Sequence, residues 1–108
     1  MKLKYLSGIG IGNTKGSGRV LLVNSVLDFN KIKGGEVLVT QYATPDFIVI
    51  LKKIKCLITD QGGSTSHIAI VCRELSIPAI VATGHASTFF KDNDLVEFNT
   101  KDGHIKIK

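Results

Sequence analysis

The run Cys56–Thr83, CLITDQGGSTSHIAIVCRELSIPAIVAT, decides the fold. CLITD (56–60) is a short apolar strand that ends at the pair Gly62-Gly63. From Ser66 onward, Ile68, Val71, Cys72 and Leu75 recur at i, i+3, i+4 and i+7, the spacing of one apolar helix face, and Pro78 ends that helix. AIVAT (79–83) is a second buried strand. Strand, helix and strand in that order call for parallel pairing through a crossover.

The same pattern extends outward. Upstream, RVLLV (19–23) and EVLVTQY (36–42) read as strands, with a short helical turn expected between them before Gly34 and Gly35. Thr44-Pro45-Asp46 has the residues of a helix start: Thr44 to cap, Pro45 for the first helical position, Asp46 for the positive end of the dipole. Phe47, Ile48, Leu51 and Ile54 then supply an apolar face. Downstream, LVEFNT (95–100) and HIKIK (104–108) flank KDG, a hairpin signal. The expectation is an α/β domain with a parallel layer, an antiparallel layer and helices on one face.

The glycine-rich run SGIGIGNTKGSG (7–18) fits neither phosphate-loop pattern. Gly8, Gly10 and Gly12 lack the G-x-G-x-x-G spacing and a preceding strand, and no Lys-Ser/Thr closes a P-loop. It reads as flexible or bulged edge backbone, or as part of a hinge. At 108 residues the chain is expected to be a single domain, residues 1–108. Its net charge of +5 comes from scattered lysines, read as solvated rather than as a nucleic-acid surface. No segment approaches membrane-spanning length, and the N-terminus lacks the apolar stretch of a signal peptide, so a cytoplasmic location with no nucleic-acid or membrane partner is expected. Cys56 and Cys72 lack metal or redox spacing and are expected as buried thiols. Asp60, Glu74, Asp92 and Asp94 are expected as solvated or capping carboxylates.

His67 is the residue around which chemistry can be built. A strand-to-helix loop carrying Gly62 and Gly63 can turn backbone N–H groups toward one point, where the new helix adds its own free N–H groups. That point attracts an anion, phosphate above all. Thr65 and Ser66 add hydroxyls, one of them serving as the helix cap. His67 then stands in the first helical turn, where the dipole disfavours imidazolium and leaves a ring nitrogen free to attack a phosphoryl group. A capping or packing histidine without reactivity fits the same spacing. His85, in a polar turn, and His104, opening the last strand, read as exposed structural residues.

The run Thr59–Val81 closely resembles the phosphohistidine motif of the phosphoenolpyruvate-utilising enzymes, among them phosphoenolpyruvate synthase, pyruvate phosphate dikinase and enzyme I of the sugar phosphotransferase system. The histidine of the G-G-x-T-S-H core, here His67, carries the phosphoryl group in that family. The resemblance implies a three-layer β/β/α swivelling domain and a phosphate site formed by Gly62, Gly63, Thr65 and Ser66. GGEVLVTQYATPDF (34–47) resembles a second family segment whose threonine, here Thr44, is expected near the phosphate, and residues 92–107 resemble the closing hairpin. Ser76 and Ala82 depart from the commonest pattern, which has glycine at both positions. The implied partners are a nucleotide-binding domain and a barrel that binds phosphoenolpyruvate or pyruvate, in the same longer chain or as separate subunits. Mg²⁺ is expected in those partners, and no metal or other cofactor in this domain. The implied role is a phosphoryl carrier, a phosphotransferase component that is not a complete enzyme by itself, either excised from a longer protein or part of a split system. A stand-alone regulatory or binding module, the carrier of enzyme I, and the carrier of a rifampicin-type antibiotic phosphotransferase are the alternatives.

Overall fold

The computed structural model describes residues 5–108; Met1–Lys4, at which the N-terminal reading began, lie outside the described residues. Its centre is the parallel set expected from the sequence: β4 (Val37–Thr40), β5 (Cys56–Thr59) and β6 (Ala79–Val81). Val37 pairs with Cys56 and Leu57 with Ala79, all in parallel. All three strands are buried along their whole length, because both of their faces are covered. Leu38, Leu57 and Ala79 pack with Phe47, Ile50, Leu51, Ile68 and Cys72. Val37, Val39, Cys56, Ile58 and Ile80 pack on the other side with Val96, Phe98, Ile105, Ala86 and Phe90. A strand covered on both faces reads as a continuous apolar run, which is why these three were visible in the sequence.

β3 (Lys15–Leu22) corrects the expectation of two separate sheets. Its first half, Lys15–Arg19, pairs antiparallel with β7 (Leu95–Asn99), and Val20–Leu22 pairs parallel with β4. One mixed eight-stranded sheet results, with β1 (Tyr5–Ser7), β2 (Ile9–Ile11) and β8 (His104–Ile107) completing the order β1-β8-β7-β3-β4-β5-β6-β2. A strand of eight residues is long enough to belong to both halves, so the sheet turns over on itself at β3 without a break.

The glycine run is edge backbone, but paired rather than loose. β1 pairs with β8, Tyr5 opposite Lys106, and β2 pairs with β6, Ile9 opposite Val81, so Gly8 carries the chain from one edge of the sheet to the other. Gly8 N donates to Gly103 O at 2.8 Å. A Cβ on Gly10 would lie 1.7 Å from the Thr100 carbonyl oxygen. Only residues without a side chain let the two edges approach so closely.

Helices are not confined to one face. α1 (His67–Leu75) and the 3₁₀ helices Val26–Lys31 and Pro45–Lys53 lie on the first side, while α2 (Ala86–Phe89), unexpected from the sequence, sends Ala86 into the second core. The segment opened by Thr44 and Pro45 is 3₁₀ rather than α; Phe47, Ile50 and Leu51 are buried within it, and Ile48, partly buried, packs against the same core. The tighter period places i and i+3 on one line. Thr44 occupies the cap position, but its side chain makes no capping bond.

Candidate functional site

The loop from Asp60 to Ser66 is held at its start, middle and end. Asp60, buried, accepts at Oδ1 from Ser87 N at 2.8 Å and at Oδ2 from the Ser87 hydroxyl, tying the end of β5 to α2. Thr59 Oγ1 donates to Gln61 O at 2.7 Å, and Gln61 N donates to Gln41 O at 3.0 Å, which fixes the loop beside the end of β4. Gly62 then adopts φ +129°, a conformation that strains any side-chain-bearing residue. Gly63 O accepts from both Ser66 N (3.1 Å) and Ser66 Oγ (2.8 Å). Ser66 caps α1, its Oγ accepting from Ala69 N at 3.4 Å, so of the two hydroxyls weighed for that role it is Ser66 that serves.

His67 is the first residue of α1 and is exposed. Ser66 satisfies the N–H of Ala69, which leaves those of His67 and Ile68 without an intrahelical acceptor, as at any helix start. A cleft of about 50 Å³ opens there between Tyr42 and Pro45 on one wall and Gln61, Gly62, Ser66 and His67 on the other. Thr44, half-buried, stands between two of the lining residues, Ala43 and Pro45. Thr65 is exposed in the turn, and Gly63 has open space where its side chain would be. Five of the six expected residues thus sit in one loop and helix start, and Thr44 lies across the cleft from them.

Two contributors carry no signal in the sequence. Arg73, a turn and a half further along α1, reaches back so that Nη1 donates to Ser64 O at 2.6 Å, and the Asp60–Ser87 clamp joins residues 27 positions apart. No charged side chain lines the cleft; Lys52, Lys53 and Lys55 lie at the start of β5, the end remote from the loop. Positive potential at the site therefore comes from backbone N–H groups and Arg73.

Elsewhere, Asp92 Oδ1 accepts from Leu22 N and Asp94 Oδ2 from Lys91 N, as capping carboxylates do. His85 and His104 are exposed. Cys56 and Cys72 are free and buried; burial lifts both thiols, that of Cys72 to about 11. Among the described residues no three His, Cys, Asp or Glu side chains cluster as a metal centre, and no helix is long and apolar enough to cross a membrane.

The model of the family described as PEP-utilising enzyme, mobile domain, matches residues 32–103. This chain belongs to that family. The mobile domain is 40% identical over 100 residues to a probable phosphoenolpyruvate synthase of Methanothermobacter thermautotrophicus, covering 93% of this chain and 15% of the relative. It is 40% identical over 96 residues to the phosphoenolpyruvate synthase of Escherichia coli, covering 89% and 12%. The chain therefore spans about an eighth of the length of such relatives. A solution structure of Enzyme I (nEIt) superposes with a TM-score of 0.61 at 31% identity, over 70% of this chain and 32% of that one. Aconitase X from Thermococcus kodakaraensis superposes with a TM-score of 0.72 at 17% identity, over 96% and 98% of the two chains, a likeness of fold alone.

Proposed function

We infer that this mobile domain is a phosphoryl carrier in a phosphotransferase of the phosphoenolpyruvate synthase or pyruvate phosphate dikinase type, charged on His67. The observation that carries the reading is the placement of an exposed histidine at the first position of α1, beside a glycine loop whose conformation is fixed by Gly62, Ser66 and Arg73. A ring nitrogen of His67 attacks phosphorus; the P–N bond forms as the donor P–O bond breaks, and the donor oxygen keeps the electron pair. The phosphoryl oxygens then meet the N–H groups of the helix start and the hydroxyl of Thr65, the Ser66 hydroxyl being given to Gly63 O. Thr44, on the opposite wall, would add a hydroxyl. Donation to an acceptor reverses the bonding, so the domain adds no net chemistry of its own.

On this reading the two reactions belong to partners: a nucleotide site and a pyruvate or phosphoenolpyruvate site, each with its Mg²⁺, in the cytoplasm. Tethering to both would make transfer intramolecular.

The test mixes the chain with a catalytically complete partner and phosphoenolpyruvate labelled in its phosphoryl group. Acid-labile, base-stable label on the wild type and none on His67→Ala is the expected result. A folded wild-type domain that takes no label would sink the carrier in favour of a binding or regulatory module.

A further inference from the structure

A second cleft, of about 420 Å³, lies between the turn Gly12–Thr14, which joins β2 to β3, and the C-terminal end of α1. That volume is in the range of small-molecule sites. Its floor is apolar: Ile11 and Cys72 are each 1% exposed, with Ile77 and Pro78 beside them. Its rim is polar and exposed, formed by Asn13, Thr14, Arg73 and Ser76. Arg73 is the one side chain in this wall that is ionised at neutral pH, because burial keeps the Cys72 thiol protonated.

Ser76 is the informative residue. It takes the left-handed conformation, φ 58° and ψ 40°, at the end of α1, where glycine is the unstrained choice. A serine held there accepts backbone strain, and it lines the cleft. The arrangement of one cation, two hydroxyl residues and one amide above an apolar floor suits a small molecule with an anionic head and a short apolar body.

We propose that this cleft binds a small organic anion, its carboxylate or phosphate held by Arg73 and Ser76, and that its occupancy is transmitted to the loop bearing His67. The transmission runs through Arg73 itself, whose Nη1 donates to Ser64 O at 2.6 Å. Hydrogen bonds from guanidinium to an anion are stronger than those to a neutral carbonyl, so a bound anion draws Arg73 away from Ser64 and frees the turn Gly63–Ser66. The influence is reciprocal: whatever tightens that turn changes the affinity of the cleft. Binding stands without the carrier reading of His67; the effect on phosphorylation rests on it.

The test titrates the 108-residue chain with butyrate and with butyl phosphate, and with butylamine and butanol as controls, following backbone amide NMR signals. One or both anions are expected to give saturable shifts at Gly12, Asn13 and Ser76, accompanied by shifts at Ser64 and Thr65. Arg73→Gln is expected to weaken binding about ten-fold or more. Ser76→Gly is expected to weaken it about three-fold while raising the thermal midpoint, since it removes both hydroxyl and strain. Equal binding of butanol or butylamine, or anion shifts confined to Gly62–His67, would overturn the cleft as an anion site. Shifts at the cleft without any at Ser64 would overturn the coupling, whether or not His67 takes a phosphoryl group.

Discussion

The chain has two kinds of glycine-rich segment, and they do opposite work. In the first, residues 8–18 and their neighbour Gly103, the missing side chain makes room for other parts of the protein. A Cβ on Gly10 would sit 1.7 Å from Thr100 O and one on Gly103 2.2 Å from Gly8 O, both backbone atoms that have no freedom to withdraw. In the second, the loop before α1, little is near: the closest atom to a Cβ on Gly62 would be 3.7 Å away, and Gly63 has nothing within 4 Å. Gly62 supplies a backbone conformation that a side chain would strain, and Gly63 leaves its space open in the loop before His67. Glycine content therefore does not mark a phosphate loop; what matters is whether the space is filled from within the chain.

Substitutions by alanine break this contrast most directly. Gly10→Ala should destabilise the domain most, by about 3 kcal/mol or more, since overpacking here falls on backbone. Urea unfolding measures it; a loss under about 1 kcal/mol would mean the sheet edges do not meet this tightly. Gly62→Ala comes next, because φ +129° is strained for alanine whatever the space. About 1–2 kcal/mol of stability should go, and labelling of His67 should slow about ten- to a hundred-fold as the loop shifts. Gly63→Ala should cost less than about 0.5 kcal/mol, and a larger loss would show the open space at this position to be illusory.

The chain's other glycine pair sharpens the comparison with the smallest effect. Gly34 and Gly35, at φ +117° and +82°, form a turn whose N–H groups reach Glu36: its carboxylate accepts from Lys33 N at 2.7 Å and Gly34 N at 2.8 Å. Burial pushes the Glu36 carboxyl up, but these backbone hydrogen bonds outweigh it and hold it below the ordinary glutamate value. A carboxyl with a lowered folded value stabilises the fold above its unfolded value, and that contribution is lost as the pH falls through the folded one. Wild type should thus lose stability faster than Glu36→Gln on acidification below about pH 4.3. Parallel pH profiles of the two proteins' thermal midpoints would show that the turn does not favour the anion.

What was legible in the sequence followed from local chemistry. β4, β5 and β6 announced themselves because they are buried on both faces, and α1 because Ile68, Val71, Cys72 and Leu75 share a stripe ended by Ser76 and Pro78. His67 in the first helical turn was readable for the same reason, as was a hydroxyl cap before it, though not which of Thr65 and Ser66 would serve. β1 and β2 were not, since what makes Ile9–Ile11 a strand is β6, some seventy residues away, and the glycines beside it weaken any intrinsic preference. The single sheet was hidden because Lys15–Leu22 changes partners midway, and no residue in it records the change. At the site, Arg73 and Ser87 were invisible because a side chain bonding to a distant carbonyl or carboxylate leaves no pattern.

The pairing of Tyr5 with Lys106 fixes where the polypeptide enters and leaves this fold. In an antiparallel pair, the N-terminal side of Tyr5 and the C-terminal side of Lys106 face the same end of the sheet, with facing Cα atoms about 5 Å apart. Were the chain to continue in both directions, its two extensions would form one narrow stem.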